Sequence, residues 1–328
     1  MLSQKKLQEL CSCYVNVEIL SKKDIGRGFS VGLYNKVASL LTSEAQFLLN
    51  ALPKDIKKKF IEVFLYFGIN GLYIDELRKY FVNHSLFAEA VYRNPGSAEA
   101  FEILYREKSI FNPIDKYILR AKAGAQIYQR LQALKKNLPK IIRKEISQNH
   151  YEEFLVDNIG SGQGYDMIYV LKDNYDLRRY THVRNIDIDC KSLKMGQTLV
   201  EKFELQDNFS FECKKITQTH KRNAHLVISI GMLCPQSTHN CKVLLRSWRP
   251  YIRENGLLIF NVVSEEMLIG DPLTDFIITM LGWHMDYKSH DLLDSIASSL
   301  KNMKECYRFF DLPYAYNPML ALRKASNI

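Results

Sequence analysis

The chain has 328 residues, of which 47% are hydrophobic, enough for one large or two ordinary cores. Its net charge of +9 is unevenly placed: residues 1–150 carry 24 Lys/Arg against 14 Asp/Glu, and residues 151–328 carry 21 against 22. Seven cysteines without a C-x-x-C pair exclude the usual zinc sites, so no metal is expected. The most apolar segment, residues 60–67, is too short to span a bilayer and contains Glu62.

A basic half suits an acidic partner such as nucleic acid or an anionic surface. Here Lys and Arg are interleaved with Glu and apolar residues at helical spacing, dense only at 54–59 and 134–144. Solvated helix faces are therefore the favoured reading, with nucleic acid the lesser one. The closest cysteine neighbours are Cys11/Cys13 and Cys234/Cys241, and reduced thiols are expected throughout. The opening segment MLSQKKLQEL is amphipathic and unlike a signal peptide, so a cytoplasmic location is expected.

In chain order, the first half reads as helices. Leu33, Val37, Leu40 and Leu41 form one stripe, and Phe60, Val63, Phe64 and Phe67 another. Breaks fall at Pro53, at 68–71, at 94–97 and at Asn112-Pro113. A long helix over 123–146 follows, with Ile127, Leu131, Leu134 and Leu138 in line and a kink or restart expected at Pro139.

After residue 148 the hydrophobic period changes. Strands are predicted at 153–159, 180–187, 208–214, 225–230 and 257–263, with helices at 165–171, 190–203, 240–253 and 271–281. That alternation predicts a parallel sheet covered by helices on both faces. Runs at 306–310 and 318–322, joined by a loop too short for a helical crossover, should pair antiparallel. The fold class is thus α/β, with a mainly helical domain at 1–148 and a sheet domain at 149–328.

The informative segment is FLVDNIGSGQG, residues 154–164, a buried strand entering a turn with glycines at 160, 162 and 164 and then a helix. Glycines there let the backbone approach a ligand, and the first N–H groups of the helix face the crevice. Asp187 ends the next predicted strand, 23 residues after Gly164, where a carboxylate can accept the hydroxyls of a ribose; Asp189 competes for that place. Gly231 ends the HLVISIG run, residues 225–231, and Asn255-Gly256 reads as the turn into the fifth strand. A nicotinamide fingerprint would need glycine at 165, where Tyr165 stands.

Residues 150–328 resemble the class I S-adenosylmethionine-dependent methyltransferases, whose sheet is Rossmann-like and seven-stranded with an antiparallel C-terminal hairpin. The segment AGAQIYQR, residues 123–130, is also similar to a bacterial group of that family with a helical N-terminal extension. The resemblance implies S-adenosyl-L-methionine as cofactor and S-adenosyl-L-homocysteine as product. It implies contacts from Asn158, Gly160, Ser161, Gly162, Gly164, Asp187, Ile188 and Gly231. Three departures stand out: Asn158 where the family has an acidic residue, Lys214 after the third strand, and His225 before the fourth. Because strand side chains alternate, Asp157 should point away from the direction of Asn158.

The expected activity is methyl transfer to a small-molecule acceptor, with no catalytic residue assigned. Alternatives are a binding or regulatory protein that keeps the fold without turnover and, less favoured, a nucleotide-dependent oxidoreductase. Residues 1–148 are expected to cover or select the acceptor, or to form a homodimer.

Overall fold

The computed structural model describes residues 51–53, 71–105, 112–309 and 316–325. The predicted stripes at 33–41 and 60–67, the basic run at 54–59, the glycine break at 68–70 and the Cys11/Cys13 pair lie outside the described residues. The chain divides into two compact units, Met1–Ala125 with Glu266–His284, and Gln126–Glu265 with Met285–Ile328.

In the first unit, helices α1 (Gly71–His84), α2 (Leu86–Arg93), α3 (Ala98–Tyr105) and α4 (Pro113–Arg120) are short, as the sequence breaks require. Asn112 caps α4 by accepting the Asp115 N–H at 2.8 Å, with Pro113 opening the helix. Buried Asp115 in turn accepts the Ser85 hydroxyl at 2.5 Å and the Phe87 N–H at 3.1 Å, which ties α4 to the start of α2. Trp283, from the 266–284 segment, packs with Phe101 and Phe87 at ring separations of 5.7 and 6.4 Å. Arg78 Nε donates to the Met280 carbonyl at 2.7 Å.

Helix α5 (Lys122–Asn149) runs through Pro139 as one helix, without a restart there. Leu134, Leu138, Ile141 and Ile142, spaced i, i+4, i+7, i+8, are buried in the same core as the sheet residues Val156, Leu226 and Ile228. The division by hydrophobic period at 148 and the division by compactness at Gln126 therefore differ, because most of α5 is core of the sheet unit.

The sheet has seven strands in the order β3-β2-β1-β4-β5-β7-β6. They are β1 (Phe154–Ile159), β2 (Thr181–Asp187), β3 (Phe209–Cys213), β4 (Ala224–Ser229), β5 (Ile252–Asn261), β6 (Met303–Phe309) and β7 (Met319–Lys324). The first five are parallel; β7 runs antiparallel between β5 and β6. Helices α6 (Tyr165–Lys172) and α7 (Tyr175–Arg178) link β1 to β2, α8 (Cys190–Lys202) links β2 to β3 and α9 (Thr238–Trp248) links β4 to β5, while β3 passes to β4 through a short 3-10 turn at Ile216–Gln218. After β5 come α10 (Glu265–Gly270), α11 (Pro272–Met280) and α12 (His290–Ser298). One core, with Val156, Met167 and Leu226, lies on one face; another, with Ile159, Val227 and Trp248, lies on the other. Burial on both faces explains why β4 is buried at every position and reads as a continuous apolar run.

Three local expectations are corrected. The helix predicted to reach 253 ends at Trp248 and gives way to a short 3-10 turn, since Pro250 lacks the N–H a continuing helix needs. Asn255-Gly256 is a bulge inside β5 and not the turn before it. Asn255 has φ +62°, and the register with β4 slips between Ala224↔Ile252 and Leu226↔Leu257. The thiols are not all reduced, because Cys190 and Cys213 are joined as a disulfide with Cα atoms 5.2 Å apart. Cys190 opens α8 and Cys213 ends β3, and the β2–β3 register places Asp187 opposite Cys213, which brings the two cysteines together.

Candidate cofactor crevice

Parallel strands deliver their C-terminal ends to one edge, and in open α/β sheets the crevice there is where ligands bind. The ends of β1, β2 and β4 bring the glycine turn, Asp187 and Gly231 to that edge. Gly160, Gly162 and Gly164 have φ of +63°, +54° and +75°. A Cβ on Gly164 would lie 2.4 Å from Asn185 Nδ2, so this position requires glycine for packing. A Cβ on Gly162 would meet nothing within 4 Å, so that backbone opens onto free space. The loop after β4 closes in as well: a Cβ on Gly160 would lie 2.8 Å from Met232 Sδ.

Asp187 is held at the turn. Its Oδ2 accepts the Gly162 N–H at 2.7 Å and its Oδ1 accepts the Asp189 N–H at 2.9 Å. The next residue, Ile188, is 71% exposed, an apolar side chain left in solvent beside that carboxylate. Asp189, the competing carboxylate, is used differently. It caps α8 by accepting the Lys191 and Ser192 N–H groups and the Ser192 hydroxyl. Partial burial opposes its ionisation, but those bonds hold its carboxyl below the usual range.

Asn158 is 1% exposed and donates from Nδ2 to Asn185 Oδ1 at 3.0 Å, so it supports the turn from beneath. Asp157 faces the other way, as alternation requires. Fully buried, it accepts Arg184 Nε at 3.0 Å and Nη2 at 2.7 Å, and burial pushes its carboxyl above the ordinary range against the pull of Arg184. Strand β1 therefore contributes no carboxylate to the turn. Lys214 follows β3 and pairs with Glu212 at 3.1 Å. His225 lies at the opposite end of β4, where its Nδ1 accepts the Leu155 N–H at 3.0 Å and its ring stacks on Phe154.

Three supporting residues escaped sequence reasoning. Asn261 at the end of β5 accepts the Gly231 N–H at 2.6 Å and fixes the β4 loop. Asn185 lies under the turn. Gly196 lets α8 meet the turn's backbone, since a Cβ there would lie 2.3 Å from the Gln163 carbonyl oxygen. A glycine inside a predicted helix is the one signal that could have identified the last.

The residues at this edge fit an adenosine-bearing cofactor. Gly162 leaves space where a side chain would intrude, Asp187 offers carboxylate oxygens, and exposed Ile188 offers an apolar face. Beneath them, Asn185 Nδ2 and Ser229 Oγ are buried without a hydrogen-bond partner among the described residues.

No protein-family model matches the chain. No curated protein matches it either. Among solved structures, it is similar to magnesium protoporphyrin IX methyltransferase from Synechocystis PCC 6803 with bound SAH. The TM-score is 0.51 at 12% identity, covering 73% of this chain and 100% of that one. The same enzyme with bound SAM gives 0.50 at 11% identity, covering 73% and 97%. A protein described as a possible exported protein from Bordetella parapertussis aligns over 94% of this chain and 100% of its own, with a TM-score of 0.56 at 12% identity. Strand order, the antiparallel β7 and these likenesses together show the fold of the class I S-adenosylmethionine-dependent methyltransferases.

Proposed function

We propose that this protein is an S-adenosylmethionine-dependent methyltransferase acting on a small-molecule acceptor. The observation that carries the reading is the Asp187 carboxylate bonded to the Gly162 N–H at the open end of the crevice. A carboxylate there can accept both ribose hydroxyls, and Gly162 keeps the space beside it clear. The bound cofactor would supply an electrophilic methyl group on a sulfonium. The chain's own contribution is then alignment and exclusion of water, since charge is neutralised as methyl leaves. Gly160, Ser161 and Gly164 shape the turn, Ile188 offers an apolar face, and Gly231 with Met232 borders the turn from β4. A general base is needed only if the acceptor atom carries a proton, and no residue is assigned that role. A small-molecule acceptor is supported by the similar Synechocystis enzyme, whose name specifies a porphyrin.

Acceptor selection is assigned to residues 1–148, which contain none of the crevice residues and carry the excess positive charge. Dimerisation is the competing use, and sedimentation equilibrium separates them: a monomer removes the second.

One observation favours a different reading, a binding protein of the same fold without turnover. Asn158 replaces the family's acidic residue and is consumed by Asn185, while Asp157 is committed to Arg184. Transfer of isotopically labelled methyl from S-adenosylmethionine to a small-molecule library decides between them. Labelled product supports the enzyme; tight cofactor binding with no transfer to any acceptor supports the binding protein.

A further inference from the structure

The crevice edge holds a disulfide that the methyl-transfer reading does not use. Cys190 is the first residue of α8 and Cys213 the last of β3, and both are exposed. Between Asp187 and Cys190 lie only Ile188 and Asp189. Cys213 stands opposite Asp187 in the β2–β3 register, and its Sγ lies 3.7 Å from the Ile188 carbonyl oxygen. The bridge thus closes a small ring of chain around the residues offered to the adenosine: Asp187 is held on one side by the Gly162 N–H and on the other by a turn tied to β3.

We propose that the Cys190–Cys213 disulfide is a thiol-sensitive clasp on the cofactor crevice, strengthening cofactor binding when closed and weakening it when opened by a dithiol reductant. This rests on the reading of the crevice as an S-adenosylmethionine site. In the opening step, one thiolate of the reductant attacks a cysteine sulfur and forms a mixed disulfide, and the other cysteine leaves as a thiolate and takes up a proton. The reductant's second thiolate then attacks the reductant's own first sulfur, closing its cyclic disulfide, and the remaining cysteine leaves as a thiolate and takes up a proton. Two electrons have passed to the protein, both cysteines are thiols carrying the reductant's two protons, and the reductant has become a cyclic disulfide. Exposure of both cysteines gives the reductant access, which buried structural bridges deny. Once opened, residues 188–190 lose their tie to β3 and must be ordered again when the cofactor binds. Re-ordering one residue's backbone corresponds to about a tenfold loss of affinity.

The test is calorimetric titration of the full chain with S-adenosylhomocysteine, in the oxidised form and after dithiothreitol, with the 190–213 linkage followed by non-reducing peptide mapping. The expected result is a Kd about tenfold higher after reduction, restored when oxidised glutathione re-forms the bridge. Cys190→Ser and Cys213→Ser should match the reduced form and ignore dithiothreitol, whereas Cys306→Ser should respond as the natural chain does. Equal or tighter binding after reduction overturns the clasp and leaves the cofactor reading standing, even if the unfolding temperature drops, because a purely structural bridge would lower only stability. Binding in neither form overturns the cofactor reading and the clasp with it.

Discussion

Asp187 Oδ2 accepts the Gly162 N–H at 2.7 Å, joining the end of β2 to the middle of the β1 glycine turn. The carboxylate that would receive the ribose is thereby oriented by the loop that would border the rest of the cofactor. Asp187→Ala removes a charged acceptor worth about 1.5–3 kcal/mol, so the Kd for S-adenosylhomocysteine should rise roughly 10- to 150-fold. Asp189→Ala should instead lower stability by about 0.5–2 kcal/mol through loss of the α8 cap, with a smaller change in Kd. Calorimetry and denaturant titration on both variants check this; the reverse pattern would assign the ribose to Asp189.

The glycines differ in what surrounds them, and substitutions should separate along that line. Gly162→Val places a branched side chain in open space at a left-handed φ, so the variant should fold with a backbone penalty of about 1–3 kcal/mol and lose cofactor binding. Gly164→Ala and Gly196→Ala drive a methyl into Asn185 and into the Gln163 carbonyl, so both should lose stability at least as great, through overpacking. Circular dichroism establishes folding before titration. A folded Gly162→Val with unchanged Kd would remove the turn from the cofactor site.

The Asp157–Arg184 pair is buried on both sides and bidentate. Arg184 also donates to the His220 carbonyl at 2.8 Å, so its loss frees a carbonyl as well as a charge. Removing one partner leaves a buried charge alone, and Arg184→Met should cost about 3–5 kcal/mol. The double variant Arg184→Met/Asp157→Leu should recover part of that loss. Denaturant unfolding of the four proteins measures the coupling; additive losses would show that the two residues do not act as a pair.

Burial, with Arg253 and Arg222 nearby, lowers the His225 pKa from 6.5 to about 4. Below pH 6.5 the unfolded chain takes up a proton here that the folded protein refuses until about pH 4. This site's contribution to stability is therefore complete above pH 6.5 and falls as pH drops through that window, by up to about 3 kcal/mol. Unfolding free energies at pH 7 and pH 4.5 should show a larger acid loss in the natural chain than in His225→Gln. Equal losses would place the acid sensitivity elsewhere.

Much of the sheet was legible because buried parallel strands are continuous apolar runs, and because Gly160, Gly162 and Gly164 stand between a strand and a helix with Asp187, Gly231 and the fifth strand following at the expected places. The place of Asp187 at the end of β2 was legible by its distance from that turn. What escaped depends on contacts distant in sequence. Asn255-Gly256 has the composition of a turn, but pairing with β4 both before it, at Ile252, and after it, from Leu257 on, carries the strand through it as a bulge. Helix α12 was missed in a polar stretch whose buried Leu293 and Ile296 are too few to mark a stripe. That residues 266–284 join the helical unit follows from Trp283 and Asp271, whose partners, among them Phe87, Phe101 and the Ala123 N–H, are well over a hundred positions away. No spacing rule pairs Cys190 with Cys213, since only the β2–β3 register brings them within reach.

Whether the crevice at Gly160–Gly164 and Asp187 takes S-adenosylmethionine is decided by calorimetric titration of the full chain with S-adenosylmethionine, S-adenosylhomocysteine and NAD. One-to-one binding of the first two, weakened by Asp187→Ala, is expected, with no heat from NAD. Binding of NAD alone, or of none of the three by a folded protein, would contradict it.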